Sequence, residues 1–78
     1  MTLYEFNSMT LEEKQAIVWV KGIFLGNYAT KDSNIIGYTI DNFFVEVVYD
    51  SKHNFITEIR GFKYGHSLDK YAQNLTDR

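Results

Sequence analysis

The side chains with the widest chemical repertoire in this sequence are its two histidines. His53 stands three positions after Asp50, and His66 lies further along the chain. An imidazole can act as a general base or bind a metal ion, but no third ligand stands at metal-binding spacing and no Ser-His-Asp order supports a nucleophile. We therefore interpret both histidines as solvated turn residues, and we predict no catalytic residue, no metal site and no cofactor.

Four carboxylates offer a second route to chemistry. Paired carboxylates perform acid–base catalysis when one of them is desolvated. Asp41 and Asp50 fall in predicted turns, whereas Glu46 and Glu58 fall on the solvent side of a predicted sheet. The chain also has no cysteine, which excludes disulfides, thiolate metal sites and a cysteine nucleophile. We predict that the protein is not an enzyme.

One basic and aromatic string suggests nucleic-acid binding. Arg60-Gly61-Phe62-Lys63-Tyr64 resembles the opening of the aromatic strand signature of the RNA-recognition motif. The string departs from that signature at Lys63 and Gly65, and the formal net charge of −2 has the wrong sign for a nucleic-acid footprint. Single-stranded nucleic-acid binding through residues 60–64 is therefore the alternative function.

Length and composition predict one compact domain over residues 1–78. The chain is 45% hydrophobic and 17% aromatic, which is typical of a folded globular protein. No apolar run is long enough to cross a bilayer, and the first residues lack the basic region of a signal peptide. We expect a cytoplasmic location and no membrane contact.

The first half of the chain contains two helix-start signals. Thr2 with Glu5 predicts a single opening turn, and Thr10 with Glu13 forms a capping box that opens a helix over residues 11–20. Gly22 is expected to end this helix in the left-handed conformation. Its apolar last turn is expected to be largely buried, and the core-facing residues are predicted to be Leu11, Val18 and Trp19.

Four strands are predicted after this helix. The first two cover residues 23–29 and 35–40, and Asp41-Asn42 then has the pattern of a two-residue hairpin loop that needs positive φ. That turn fixes the register and separates the side chains into two faces. The core face is predicted to contain Ile36, Tyr38, Ile40, Phe43, Val45 and Val47. A fourth strand over residues 55–62 is expected to place Thr57 opposite Val47 and Glu58 opposite Glu46.

The opposite face of the sheet is the predicted binding surface. It is expected to be half-solvated and to expose apolar side chains among polar ones, a pattern typical of partner surfaces. The predicted partner-binding residues are Ile35, Phe44, Glu46, Val48 and Arg60. The leading functional hypothesis is a small non-enzymatic interaction module that self-associates, for example as a homodimer, or binds another protein through this face or an edge strand.

The end of the chain predicts a short amphipathic helix. Leu68, Tyr71, Ala72 and Leu75 follow the candidate N-cap Ser67 at helical spacing. So short a helix must pack on other elements to be stable, and we expect the core face to receive it. The predicted fold class is α+β: an N-terminal helix, a four-stranded antiparallel meander and a C-terminal helix, with both helices on one sheet face.

Three segments carry a resemblance to known sequences. They resemble a group of short, uncharacterised bacterial single-domain proteins. The segments are Met1-Thr2-Leu3-Tyr4-Glu5-Phe6, Trp19 with Lys21-Gly22, and the run from Asp41 through Tyr49-Asp50. The resemblance implies a stand-alone bacterial domain, and it brings no activity, ligand or site residue.

Overall fold

A computed structural model describes residues 1–63 as two helices and a four-stranded antiparallel sheet. The helices are α1 (Leu3–Asn7) and α2 (Leu11–Lys21). The strands are β1 (Ile23–Ala29), β2 (Ser33–Ile40), β3 (Phe43–Asp50) and β4 (Ile56–Lys63). The strands lie in the order β1-β2-β3-β4, so each pairs with its neighbour in sequence. The predicted antiparallel meander with a preceding helix is confirmed. The predicted C-terminal helix lies outside the described residues.

Both helices begin at the predicted capping boxes. The Thr2 hydroxyl accepts a hydrogen bond from the Glu5 amide at 3.1 Å, and the Glu5 carboxylate accepts one from the Thr2 amide at 2.9 Å. Thr10 and Glu13 form the same pair of bonds at the same distances. Each box satisfies two backbone donors that would otherwise have no partner within the helix.

The end of α2 differs from the prediction at Gly22. This residue has φ −71° and ψ 140°, so it is extended rather than left-handed. A Cβ at Gly22 would lie 2.5 Å from the Val18 carbonyl oxygen and 3.2 Å from the Tyr38 ring. A glycine is needed here because the backbone passes too close to the preceding turn for a side chain, and β1 starts at the next residue.

The β2–β3 hairpin has the predicted register. Ile40 pairs with Phe43, Tyr38 with Val45 and Ile36 with Val47, as the two-residue loop requires. The backbone of Asp41 has a left-handed conformation with φ 50°, whereas Asn42 does not have a positive φ. One positive φ, at the first loop position, is therefore enough to close this turn.

The core lies between the helices and one face of the sheet, which we call the core face. Phe6 from α1 and Val18 from α2 are buried there against Ile40, Phe43, Val45, Val47 and Ile59. The Phe6 and Phe43 rings are tilted at a centroid distance of 5.4 Å. The prediction was right for Val18 and wrong for the exposed Leu11 and Trp19. The last turn of α2 is not largely buried, because the helix packs on the sheet through a single stripe.

The fourth strand is shifted by two residues from its predicted register. Ile59 pairs with Val47 and Arg60 with Glu46, and a bulge at the end of the ladder lies between Val48 and Tyr49. A shift of two keeps Ile59 on the core face, as predicted. The observed register places a guanidinium opposite Glu46, whereas the predicted one would have placed a second carboxylate there.

Candidate interaction surfaces

The second sheet face is the side opposite α1 and α2, and it contains Ile35, Phe44, Glu46, Val48, Arg60 and Phe62. The expectation that this face is half-solvated is wrong. Phe44 is 0% exposed and Glu46 only 1%, and Ile35 and Val48 are also buried. The buried side chains of this face are apolar except for Glu46, which can be buried because its carboxylate is paired with Arg60. The partner-binding role of Ile35, Phe44, Glu46, Val48 and Arg60 stays a prediction, but it no longer has an exposed surface to support it.

Arg60 joins the charged groups of this face. Its guanidinium donates a hydrogen bond to the Glu46 carboxylate at 2.9 Å and lies 3.8 Å from the Glu58 carboxylate. It also lies over the Phe62 ring, 5.9 Å from the centroid. The negative charges of these two carboxylates offset the positive charge of the guanidinium, so its attraction for a phosphate is weak. The alternative of nucleic-acid binding through Arg60, Phe62, Lys63 and Tyr64 therefore gains no support, and Tyr64 lies outside the described residues.

The histidine in the β3–β4 turn contacts a neighbouring carboxyl group. His53 Nδ1 lies 2.8 Å from Asp50 Oδ2, and the exposed His53 ring stacks on Phe55 at 5.8 Å. The hydrogen bond from His53, followed by one from the Lys52 amide, lowers the pKa of the Asp50 carboxyl. Asn54 closes the turn at φ 60°. Residues 1–63 contain no group of three side chains arranged to hold a metal ion.

A cavity of about 290 Å³ lies beside the first residues of the chain. Its walls come from Met1–Leu3, Asn42, Phe43 and Lys63. Among residues 1–63, the wall contains neither a carboxylate side chain nor an imidazole, so these residues provide no acid–base pair there.

The exposed apolar surface is concentrated where α2 meets β1, at a site that we call the aromatic corner: Trp19, Val20, Ile23, Phe24 and Tyr38. Trp19 is 51% exposed, Val20 82% and Phe24 62%. The Tyr38 ring joins the two other aromatic rings, at centroid distances of 6.2 Å from Trp19 and 6.3 Å from Phe24. Partial burial raises the pKa of the Tyr38 hydroxyl, with a smaller contribution from Tyr49. The corner is a continuous set of apolar side chains on the molecular surface.

The charged residue next to Val20 in the aromatic corner is paired. Lys21 lies 3.7 Å from Asp41, so the one cation at the end of α2 faces a carboxylate. β1 lies at one end of the sheet and contains no charged residue, whereas β4 at the other end carries Glu58, Arg60 and Lys63.

Sequence reasoning missed the corner because it counted the last turn of α2 as core. The available signal was that Ile17, Val18, Trp19 and Val20 are consecutive. One helix face spans about 100°, so four consecutive residues cannot all point at one sheet. At least one of them had to remain exposed, or to be covered by something else.

Comparisons with known proteins give no relative for this fold. No known protein family matches the chain. No curated protein is significantly similar to it, and no solved structure is either. Within residues 1–63, no helix has both the length and the apolar character needed to span a bilayer.

Proposed function

We propose that the protein is a small non-enzymatic interaction module that self-associates through the aromatic corner. The supporting observation is the exposure of Trp19, Val20 and Phe24 side by side at the junction of α2 and β1. Exposed apolar patches with aromatic side chains are typical of protein interfaces rather than of inert surface.

A second copy of this chain is the partner that the corner fits best. An apolar patch with no net charge does not repel its own copy, and a two-fold axis would place each Phe24 against the same patch of the other chain. Trp and Tyr are also the residue types that most often dominate binding energy.

The test measures self-association directly and uses Trp19 as the reporter. Trp19 is the only tryptophan of the chain, so its fluorescence reports on the corner alone. Sedimentation velocity over a dilution series is expected to show a concentration-dependent dimer. Trp19 emission is expected to move to shorter wavelength over the same range, because the indole leaves water.

The matched variants are Phe24→Ser in the corner and Phe55→Ser in the β3–β4 turn. The two phenylalanines are 62% and 54% exposed, so they are similar in type and accessibility. Burying most of a Phe side chain stabilises by about 1–2 kcal/mol. A two-fold dimer would lose that contribution twice, so Phe24→Ser is expected to weaken dimerisation by roughly thirtyfold or more.

Phe55→Ser is expected to leave the dimerisation constant unchanged. A chain that stays monomeric at every concentration, with constant Trp19 emission, would refute self-association. If Phe24→Ser and Phe55→Ser weaken dimerisation equally, the association is non-specific contact between exposed aromatic side chains rather than binding through the corner.

A further inference from the structure

The cavity beside the first residues of the chain lies at one end of the core face. Phe43 of β3, which forms part of its wall, pairs there with Lys63 at the end of β4. Residues that lie directly opposite each other in an antiparallel pair project to the same face of the sheet. The Lys63 side chain therefore leaves the backbone beside Phe43, which is buried in the core. Leu3 of α1, partly buried against the same core, supplies a further apolar part of the wall.

The close packing of α1 on β4 determines where this cavity lies. A Cβ at Gly61 would lie 2.7 Å from Leu3 Cδ1, so the helix sits directly on the sheet there. The next residue of β4 on the core face is Lys63, because side chains alternate between the two faces. Lys63 borders the cavity together with Met1 and Thr2, which precede the helix. The cavity is thus the part of the core face that lies beyond the contact of α1 with Gly61.

Lys63 brings a positive charge to this cavity. Among residues 1–63, no carboxylate forms an ion pair with its ammonium group. The Met1 ammonium group lies 2.8 Å from the Asp41 carboxylate, and the Lys21 ammonium group lies 3.7 Å from the same carboxylate. These three charges largely offset one another. Of the described residues of the wall, Lys63 is therefore the cation that remains for a ligand.

Thr2 and Asn42 add hydrogen-bond donors to the wall. Asn42 carries a side-chain amide, and the Thr2 hydroxyl oxygen accepts a hydrogen bond from the Glu5 amide at 3.1 Å, which leaves its own hydrogen to be donated. The Glu5 carboxylate accepts a hydrogen bond from the Thr2 amide at 2.9 Å, so it is held in the capping box. An ammonium group, an amide and a hydroxyl in one wall suit a carboxylate, which only accepts hydrogen bonds.

We propose that this cavity binds a small monocarboxylic acid with an apolar body. Its carboxylate pairs with the Lys63 ammonium group, and its apolar body lies against Leu3 and Phe43. One cation matches one negative charge, whereas a phosphate dianion would leave a second charge beside an apolar wall. The volume of about 290 Å³ is close to the lower limit of the range for ligand cavities, about 300–1,000 Å³, so the ligand must be small.

The test is a titration of the full-length, isotope-labelled protein with phenylacetate, followed by the chemical shifts of the backbone amides. We expect saturable shift changes at Leu3, Asn42 and Phe43, with a dissociation constant of roughly 1 mM or lower. Phenethyl alcohol has the same ring and nearly the same size but no charge. We expect it to bind about fivefold to tenfold more weakly, because it forms no ion pair with Lys63.

The matched variants are Lys63→Met in the cavity and Lys31→Met in the β1–β2 turn. Both lysines are exposed, and the β1–β2 turn lies at the opposite end of the sheet from the cavity. Methionine keeps an apolar stem without the ammonium group. Lys63→Met is therefore expected to weaken phenylacetate binding by about fivefold to tenfold and to leave phenethyl alcohol binding unchanged. Lys63→Arg is expected to retain phenylacetate binding, and Lys31→Met is expected to affect neither compound.

The absence of saturable shift changes would overturn the proposal, as would equal affinity for phenylacetate and phenethyl alcohol. Equal losses from Lys63→Met and Lys31→Met would reduce the binding to general attraction between charges, with the same result. Shift changes confined to Trp19 and Phe24 would place the probe on the aromatic corner and would also refute the cavity site. The cavity wall and the corner share no described residue, so this result and the result for self-association are independent.

Discussion

The ion pair between Glu46 and Arg60 gives the sharpest test of how the second sheet face is built. The perturbation is a double-mutant cycle of Glu46→Gln, Arg60→Met and both together. Glutamine keeps the shape of the Glu46 side chain without its charge, and methionine keeps much of the apolar stem that lies over Phe62. The cycle therefore isolates the interaction between the two charges.

The expected magnitude follows from burial and distance. Two unit charges about 4 Å apart attract by about 4 kcal/mol at an effective dielectric constant of 20. The Arg60 side chain is 38% exposed, so solvent screens part of this attraction. We expect a coupling energy of about 1.5–3 kcal/mol. Arg60→Met alone should reduce the free energy of unfolding by about 2–3 kcal/mol, since it leaves the buried Glu46 carboxylate without this cation.

The assay is urea unfolding of the four proteins at neutral pH, at low and at high salt. The control is the exposed pair of Lys21 and Asp41, 3.7 Å apart, for which Lys21→Met and Asp41→Asn should show a much smaller coupling that salt removes. The Glu46–Arg60 coupling should persist at high salt. If it is no larger than that of the exposed pair, the argument that burial makes this pair strong is wrong.

Two further predictions concern Gly22 and the β3–β4 turn. Gly22→Ala should reduce the free energy of unfolding by about 1–3 kcal/mol in chemical denaturation, because its Cβ would lie 2.5 Å from the Val18 carbonyl oxygen; an unchanged midpoint would contradict this. The hydrogen bond from His53 lowers the pKa of Asp50 below its ordinary 3.8, so its stabilisation should be complete above that value and disappear as the pH falls through the lowered one. Asp50→Asn should therefore reduce the acid-induced loss of stability, whereas melting curves with the same pH dependence in both proteins would count against the interaction.

Local signals predicted much of the fold. The Asp41-Asn42 turn set the β2–β3 register correctly, because a two-residue loop leaves only one pairing. The capping boxes at Thr2 and Thr10 were also right, since they depend only on neighbours three residues away. Information confined to a few consecutive residues was sufficient in both cases.

Features that depend on distant residues were predicted less well. The register of β4 depends on which side chain lies opposite Glu46 across the sheet. The five-residue turn before β4 is long enough to allow more than one register. The exposure of Trp19 depends on where α2 sits over the sheet, which helical spacing alone does not specify. The alternation of the strand residues also did not predict that Phe44 is buried.

The direct passage from α2 into β1 through Gly22 has a consequence for recognition. Only Gly22 separates the helix from the strand, so Trp19 and Phe24 lie on two rigid elements with no flexible loop between them. A partner that binds them has little loop motion to arrest, so the part of the entropic cost that comes from ordering a loop is small. Association should then be limited by encounter rather than by rearrangement, and substitutions in the corner should act mainly on the dissociation rate.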